Sequence, residues 1–234
     1  MNLTGKDIVL EVGPGLGDFT LELVKTAKFV IAVEKDPNLV KILKKKTKGI
    51  GNVKIVLGDI LKFNPRYHHL NHRKYKLVGN IPFYLTSALI RKFLENDPSP
   101  EEMVLVIQKE LARRICSDPP GANLLSTSVR FYADSRVVFY ISRKCFWPSP
   151  KVDSAVLQIR LSGKRKTIDS HSFFRVVRAG FSQPRKQLIN NLCRALPLSK
   201  EKLANYLLGI GIQPSRRAET LSIKDWLKLA RFVR

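Results

Sequence analysis

Cysteine, acidic residues and long apolar runs are all scarce in this chain of 234 residues. The three cysteines, Cys116, Cys145 and Cys193, are widely spaced and odd in number. That excludes a disulfide framework and any Cys-x-x-Cys metal site, and it fits a reducing cytosol. No apolar run approaches the roughly 18 residues of a membrane span; Val104-Leu105-Val106-Ile107 has the length of a core strand. The first residues lack a charged stretch followed by an apolar one, so no secretory signal is expected. There is no internal repeat and no low-complexity tract. A composition of 44% hydrophobic and 26% charged residues is that of a globular chain and excludes a disordered one.

Negative charge is the most telling shortage. Lys and Arg number 42 against 19 Asp and Glu, a formal net charge of +23. Solubility needs a net charge of only about 2 to 8 in magnitude, so the excess points to a polyanionic partner. From Arg160 to Arg234 there are 17 basic and 4 acidic residues; the first 159 residues hold 25 and 15. The last third is thus far more basic per residue, which suggests a second module.

The pattern along the chain is that of an α/β fold. Short apolar runs at 8–12, 29–33, 53–57, 76–78 and 103–107 read as strands. Helical spacing recurs between them at 19–26, around Leu39, Ile42 and Leu43, at 87–94 and at 109–116. Alternating strands and helices imply a mostly parallel sheet covered on both faces. Val137–Ile141 and Ala155–Leu161 are β-rich with no helix between them, so they are expected as an antiparallel pair at the sheet edge, seven strands in all. Beyond Ser162 the spacing is helical, as at Leu203, Tyr206, Leu207 and Ile210 and again at Ile223, Trp226, Leu227 and Ala230. Ser222 with Asp225 resembles a capping box. Gly163-Lys164-Arg165-Lys166 reads as a linker, dividing the chain into a domain at 1–162 and a helical, strongly basic one at 163–234.

Candidate site residues fall at strand ends. Glu11-Val-Gly13-Pro-Gly15-Leu-Gly17 follows the first strand and opens a helix, and glycines there let the backbone approach a ligand closely. It is not the dinucleotide fingerprint, which would need glycine at Asp18. The second strand ends in Glu34, whose carboxylate can accept from both hydroxyls of a ribose. The third ends in Gly58-Asp59-Ile60, an acceptor for an adenine amino group. The fourth ends in Gly79-Asn80-Ile81-Pro82-Phe83-Tyr84. An exocyclic base amine is a poor nucleophile because its lone pair is delocalised into the ring. Two acceptors, the Asn80 side-chain oxygen and the Ile81 carbonyl, favour pyramidalisation, while Pro82 stiffens the turn and Phe83 offers a stacking face. In isolation such a segment reads as a proline turn over a core phenylalanine; its place after the fourth strand favours the chemical reading. Phe146-Trp147-Pro148-Ser149-Pro150-Lys151 is an extended loop fixed by its prolines. An aromatic plug under the loop and a second face for an extracted base are equally compatible with its spacing.

Together these motifs resemble the small-subunit (16S) ribosomal RNA adenine N6,N6-dimethyltransferases. The resemblance rests on Glu11 to Gly17, Val33 to Asp36, Gly58-Asp59, Asn80 to Phe83, Gln108-Lys109-Glu110, Phe146 to Ser154, Phe181-Ser182-Gln183-Pro184-Arg185-Lys186 and Arg217-Ala218-Glu219-Thr220-Leu221. It spans nearly the whole chain. It implies a Rossmann-like class I methyltransferase using S-adenosylmethionine, with no metal. The implied target is two neighbouring adenines in a hairpin loop near the 3′ end of small-subunit RNA, each methylated twice, in naked RNA or a pre-small-subunit particle. It further implies a cytoplasmic monomer with no membrane partner. Carried over by motif, Glu11, Gly13 and Gly15 bind the cofactor, the two glycines along its methionine portion. Glu34 holds the ribose, Asp59 and Ile60 the adenine, and Asn80 serves both cofactor and target amine. Phe83 and Phe146 sandwich the target base, and Lys151, Arg185 and Lys186 contact RNA.

The chain departs from the family pattern in three places. A Gln-Asn-Phe-Leu segment usual before the first strand has no counterpart in the seven residues ahead of Ile8; whether the chain is shortened or the segment lost, a lower cofactor affinity is expected. Phe83 stands where tyrosine is common, keeping the ring face but losing a hydroxyl. Pro184 stands where arginine is common, removing one phosphate contact. Two alternatives remain: a large-subunit (23S) adenine methyltransferase of the antibiotic-resistance type, and a non-catalytic ribosome-assembly or RNA-binding factor on the same scaffold. His68, His69 and His72 lie in a basic stretch without a supporting carboxylate and are read as a solvated loop, not a metal site.

Overall fold

The computed structural model describes residues 1–72, 74–162, 169–197 and 199–232. The chain forms two compact units, one of Met1–Ala112 and Tyr132–Leu161, the other of Arg113–Phe131 and Ser162–Arg234. The division expected at 162/163 therefore misses Arg113–Phe131, which belongs with the second unit. The reason is packing: the Phe131 ring stacks on Phe173 at 4.1 Å, and the Ala122 amide donates to the Glu219 carbonyl at 3.2 Å. The expected linker at 163–166 lies outside the described residues.

The first unit is built on strands β1 (Ile8–Val12), β2 (Phe29–Glu34), β3 (Val53–Leu57), β4 (Lys76–Asn80), β5 (Glu102–Gln108), β6 (Ala133–Ile141) and β7 (Ser154–Leu161). They form one sheet in the order β3-β2-β1-β4-β5-β7-β6. The first five are parallel, and β7 runs antiparallel to both β5 and β6. Val9, Leu10, Val30, Ile31, Leu77 and Val78 are buried without alternation. Such continuous apolar runs are what a parallel strand needs when both faces are covered. The expected mostly parallel sheet with an antiparallel edge pair is found. At the edge, a register shift between Val137 and Phe139 leaves Val138, Phe139 and Tyr140 all about half exposed.

Helices α1 (Asp18–Val24), α2 (Pro37–Lys46), α3 (Thr86–Glu95) and α4 (Lys109–Cys116) follow β1, β2, β4 and β5. α2 starts sharply because Asp36 accepts from the Asn38 amide at 2.7 Å and Pro37 takes the first helical position. Its Lys44-Lys45-Lys46 face is exposed at the helix C-terminus, where positive charge is favoured. α1 differs from expectation. Phe19 is half exposed and Thr20 is buried in its place, because the Thr20 hydroxyl has a buried carboxylate to meet. α5 (Leu124–Tyr132) was not evident from periodicity, since Ser126, Thr127 and Ser128 are poor helix formers. Asn123 caps it, accepting from the Leu125 and Ser126 amides at 3.0 Å each.

The second unit adds α6 (Ser170–Gly180), α7 (Leu188–Ala195), α8 (Lys200–Gly209) and α9 (Ile223–Phe232). α6 packs on α7 and α9, and α7 on α8. The capping pair forms: Ser222 donates through its amide and hydroxyl to Asp225 at 3.0 and 2.9 Å, and the Asp225 amide returns to Ser222 Oγ at 3.2 Å. Trp226 is fully buried, and its ring fits only because residue 180 is glycine. A Cβ there would lie 2.9 Å from Trp226 Cζ3 and 3.2 Å from Leu188 Cδ1. Gly180→Ala is therefore expected to lower stability by about 1–3 kcal/mol through overpacking, despite the better helix propensity of alanine. Urea unfolding of the whole chain measures this; a midpoint at or above that of the parent contradicts the packing account.

Candidate active site

The strand order reverses between β1 and β4, and open α/β sheets bind ligands beyond the carboxyl ends of the strands at such a point. Four strand ends meet there in register. Val12 pairs with Val33 on one side and Gly79 on the other, Glu34 with Leu57, and Asn80 with Val106. Beyond the ends the backbone stays linked: the Gly13 amide donates to the Val33 carbonyl at 3.0 Å, Gly58 to Glu34 at 2.8 Å and Ile81 to Val106 at 3.0 Å. The result is a cleft of about 260 Å³ walled by Val12, Gly13, Glu34, Lys35, Gly58 to Leu61, Pro82, Tyr84 and Leu85.

Glycine is required twice at this point. Gly13, at φ +66°, would place a Cβ 3.9 Å from the Asn80 carbonyl, in the space between β1 and β4. Gly79 would place one 2.7 Å from the Val12 carbonyl, a collision with backbone.

Two carboxylates border the cleft and a third lies beneath it, each in a different setting. Glu34 is buried and held by amides: Oε1 accepts from Lys35 at 2.7 Å and Asp36 at 3.0 Å, Oε2 from Gly15 at 3.2 Å. The glycine turn is thereby tied to the end of β2. Asp59 accepts from the Leu61 amide at 2.9 Å and faces Lys35 Nζ at 3.6 Å. The Leu61 hydrogen bond, reinforced by Lys35, holds it below the usual carboxylate range and keeps it an acceptor. Glu11 sits beneath the turn, almost inaccessible, accepting from Thr20 Oγ1 at 2.7 Å. Burial pushes its carboxyl up to about 7; the Thr20 hydrogen bond opposes the shift and the neighbouring Glu34 charge adds to it. Sequence reasoning did not find the Glu11–Thr20 pair. A threonine two residues into an amphipathic helix, opposite a strand glutamate, was the available signal.

Asn80 is exposed at the end of β4 and Ile81 is buried directly after it. The Pro82 carbonyl accepts from the Leu85 amide at 2.9 Å, so the chain turns straight into α3. That turn leaves Phe83 42% and Tyr84 85% exposed. The loop after β6 carries Phe146, half-buried, and Lys151, exposed. It is tied down at its base. Asp153 accepts from the Arg143 amide at 3.1 Å and Lys109 Nζ at 3.4 Å, while Arg143 reaches the Lys151 carbonyl at 3.3 Å. The Arg143 amide, with Lys109, holds the Asp153 carboxyl below its usual range. Cys145 is exposed.

In the second unit Arg185 and Lys186 are exposed on the turn between α6 and α7. Buried Asn191 fixes that turn, donating to the Gly180 carbonyl at 2.7 Å and the Gln183 carbonyl at 2.9 Å. The histidines diverge: His68 stacks on Phe63 at 4.6 Å and His72 meets Asp97 at 2.9 Å. Among the described residues no three ligating side chains cluster as a metal would need, and no helix is long and apolar enough to cross a membrane. A larger cavity, about 310 Å³, lies against Lys62, Phe63, Pro65, Lys92, Phe93 and Pro98. None of its lining residues is one of the strand-end candidates, and the strand-end cleft is the candidate on chemical grounds.

A parallel sheet with a strand-order reversal, a glycine turn, a strand-end glutamate and an Asn-Ile-Pro-Phe turn define a Rossmann-like methyltransferase. The comparisons with known proteins narrow the class. A family model described as ribosomal RNA adenine dimethylase matches residues 1–234, and the chain belongs to that family. It is 43% identical over 230 residues to the ribosomal RNA small subunit methyltransferase A of Dehalococcoides mccartyi, covering 97% of this chain and 79% of the relative. The protein of the same name from Clostridioides difficile is 38% identical, with 99% and 82% covered. Among solved structures, a dimethyladenosine transferase from Plasmodium falciparum aligns with a TM-score of 0.83 at 25% identity over 97% of this chain and 90% of that one. The 23S rRNA methyltransferase ErmE aligns at 0.79 and 28% over 99% and 93%.

Glu11 makes the site pH-sensitive in a definite direction. Its carboxyl titrates near 4.5 when unfolded and about 7 when folded, so between those values the native state holds the extra proton. The stability it contributes is full below about pH 4.5, falls as pH rises through that window and levels off above it. Glu11→Gln keeps an acceptor for Thr20 and removes the titration. Relative to the parent it should gain about 3 kcal/mol between pH 5 and pH 8. Urea unfolding at both values checks this, and a parent-to-variant difference that ignores pH contradicts it.

Proposed function

We propose that this chain transfers methyl groups from S-adenosylmethionine to N6 of two adjacent adenines in a hairpin loop near the 3′ end of small-subunit ribosomal RNA. The observation that carries the reading is the Asn80-Ile81-Pro82-Phe83 turn closing β4 where the strand order reverses, beside Gly13 and an open cleft. Relatives named for the small subunit, 37–44% identical over nearly the whole chain, support the choice of subunit.

The residues lining the cleft suit the cofactor. Gly13 and Gly58 leave the floor open, Gly15 has free space where a Cβ would stand, and Asp59 stays ionised as an acceptor. Glu34, held by three amides, keeps its orientation while its remaining lone pairs serve a ribose diol. Glu11 supports the turn from below, and Ile60 supplies its backbone beside Asp59. When bound, S-adenosylmethionine supplies a methyl group on a positively charged sulfur. Asn80 Oδ1 and the Ile81 carbonyl accept the two N–H bonds of the target amine and favour its pyramidal form, most strongly in the transition state. Pro82 fixes the turn, Phe83 and Phe146 take the two faces of the base, and the displaced proton passes to water. Lys151, Arg185 and Lys186 engage phosphates. The same reading makes the protein a cytoplasmic monomer acting without metal on RNA or on a pre-small-subunit particle.

Asn80→Ala should lower single-turnover transfer roughly a hundredfold or more at saturating S-adenosylmethionine, with RNA affinity little changed. The assay compares unmethylated small subunits, naked small-subunit RNA and large-subunit RNA, with product nucleosides separated. A parental rate in the variant, or methyl groups on a base carbon or ribose, refutes the chemistry; transfer confined to large-subunit RNA favours the resistance-type alternative. Glu34→Ala should weaken cofactor binding by about 1–3 kcal/mol in calorimetry, and an unchanged affinity removes the ribose assignment. Replacing Arg185 and Lys186 together by alanine should reduce the slope of log affinity against log salt by about 2 while leaving cofactor binding intact.

A further inference from the structure

The aromatic loop carries one side chain that the chemistry above leaves without work. Trp147 is 98% exposed, the most exposed large apolar side chain among the described residues. A single exposed hydrophobic residue is ordinary, and three observations set this one apart. The loop that bears it is anchored rather than loose: Asp153 takes the Arg143 amide and Lys109, Arg143 takes the Lys151 carbonyl, and Ser149 Oγ donates to the Arg143 carbonyl at 2.9 Å. Its surroundings are cationic. Arg143, Lys144 and Lys151 are exposed on the same loop, and its only carboxylate, Asp153, is consumed by the anchoring contacts. The backbone at Phe146 is extended, with φ −115° and ψ 149°. Successive side chains in extended chain point to opposite sides, which matches a half-buried Phe146 followed by a projecting Trp147. The two rings therefore cannot cover one face of one base.

We infer that Trp147 is a stacking platform for a nucleotide flanking the methylated adenine, and so a further RNA-binding residue of this enzyme. The inference rests on the adenine-methylating reading above. A rigid indole among lysines and arginines matches single-stranded RNA, where bases stack on aromatic faces while cations track the backbone. With Phe146 against the target, the neighbouring residue about 3.8 Å along the chain meets the next nucleotide. That arrangement would hold a strand with two adjacent adenines in the loop, whichever of them occupies the cleft.

The test uses the full chain and an RNA hairpin with two adjacent loop adenines. The protein has two tryptophans, and the other, Trp226, is fully buried. Trp147→Phe thus supplies the Trp226 emission alone as a baseline. On adding RNA, the Trp147 part of the parent emission should be quenched and the baseline should not. Trp147→Ala should bind the hairpin about tenfold more weakly, Trp147→Phe close to the parent, and the salt slope should be the same in all three. The tenfold penalty should disappear on an RNA that is abasic at the flanking position. Unquenched emission, or a penalty that persists on RNAs abasic at either neighbour of the target, overturns the inference. A parent that methylates the hairpin but shows neither effect removes the role of Trp147 alone; a parent that methylates no adenine removes the reading beneath it and the inference together.

Discussion

Four parallel strands ending at one level, with β1 and β4 side by side at the reversal of strand order, are the constraint on which the site depends. Parallel pairing aligns the carboxyl ends of β3, β2, β1 and β4, so residues far apart in sequence meet without any loop having to reach. The close approach is narrow: the Val12 carbonyl leaves no room for a side chain at residue 79. The segments that follow β1, β2, β3 and β4 wall the cleft there.

The polar groups around the opening are fixed by backbone more than by one another. Three amides hold Glu34, a fourth holds Asp59, and the Ile81 amide is bonded to β5. Orientation is thus set when the chain folds, which is the condition for electrostatic preorganisation. Glu11 is the exception, a buried carboxyl secured by one hydroxyl and carried up toward neutrality by its surroundings.

Much of this was legible in the residues. β1, β3 and α4 have the expected bounds, because apolar runs and helical spacing were clean there. Asn80 to Phe83 and Glu34 fall at strand ends because the strands themselves could be read. What escaped were features decided by tertiary partners. α5 hides behind three consecutive hydroxyl residues, and its place in the second unit follows from Phe131 meeting Phe173, a contact 42 positions away in sequence that no local pattern carries. Thr20 displaces Phe19 from the interior because a buried carboxylate needs a donor, and burial is not visible to a periodicity count. The pinning of Asp153 by Lys109 is likewise a long-range hydrogen bond, and the Asn191 clamp crosses a turn; both involve residues that look ordinary in isolation.

The Asn191 clamp has an entropic meaning. Its amide, buried and donating to two carbonyls across the turn from α6 to α7, settles the backbone beneath Arg185 and Lys186 before any anion arrives. Ordering a flexible loop at the moment of binding subtracts from the free energy of association. Here that cost is met by folding, so an anion meeting this turn would have only the side-chain rotamers of the two cations left to restrict.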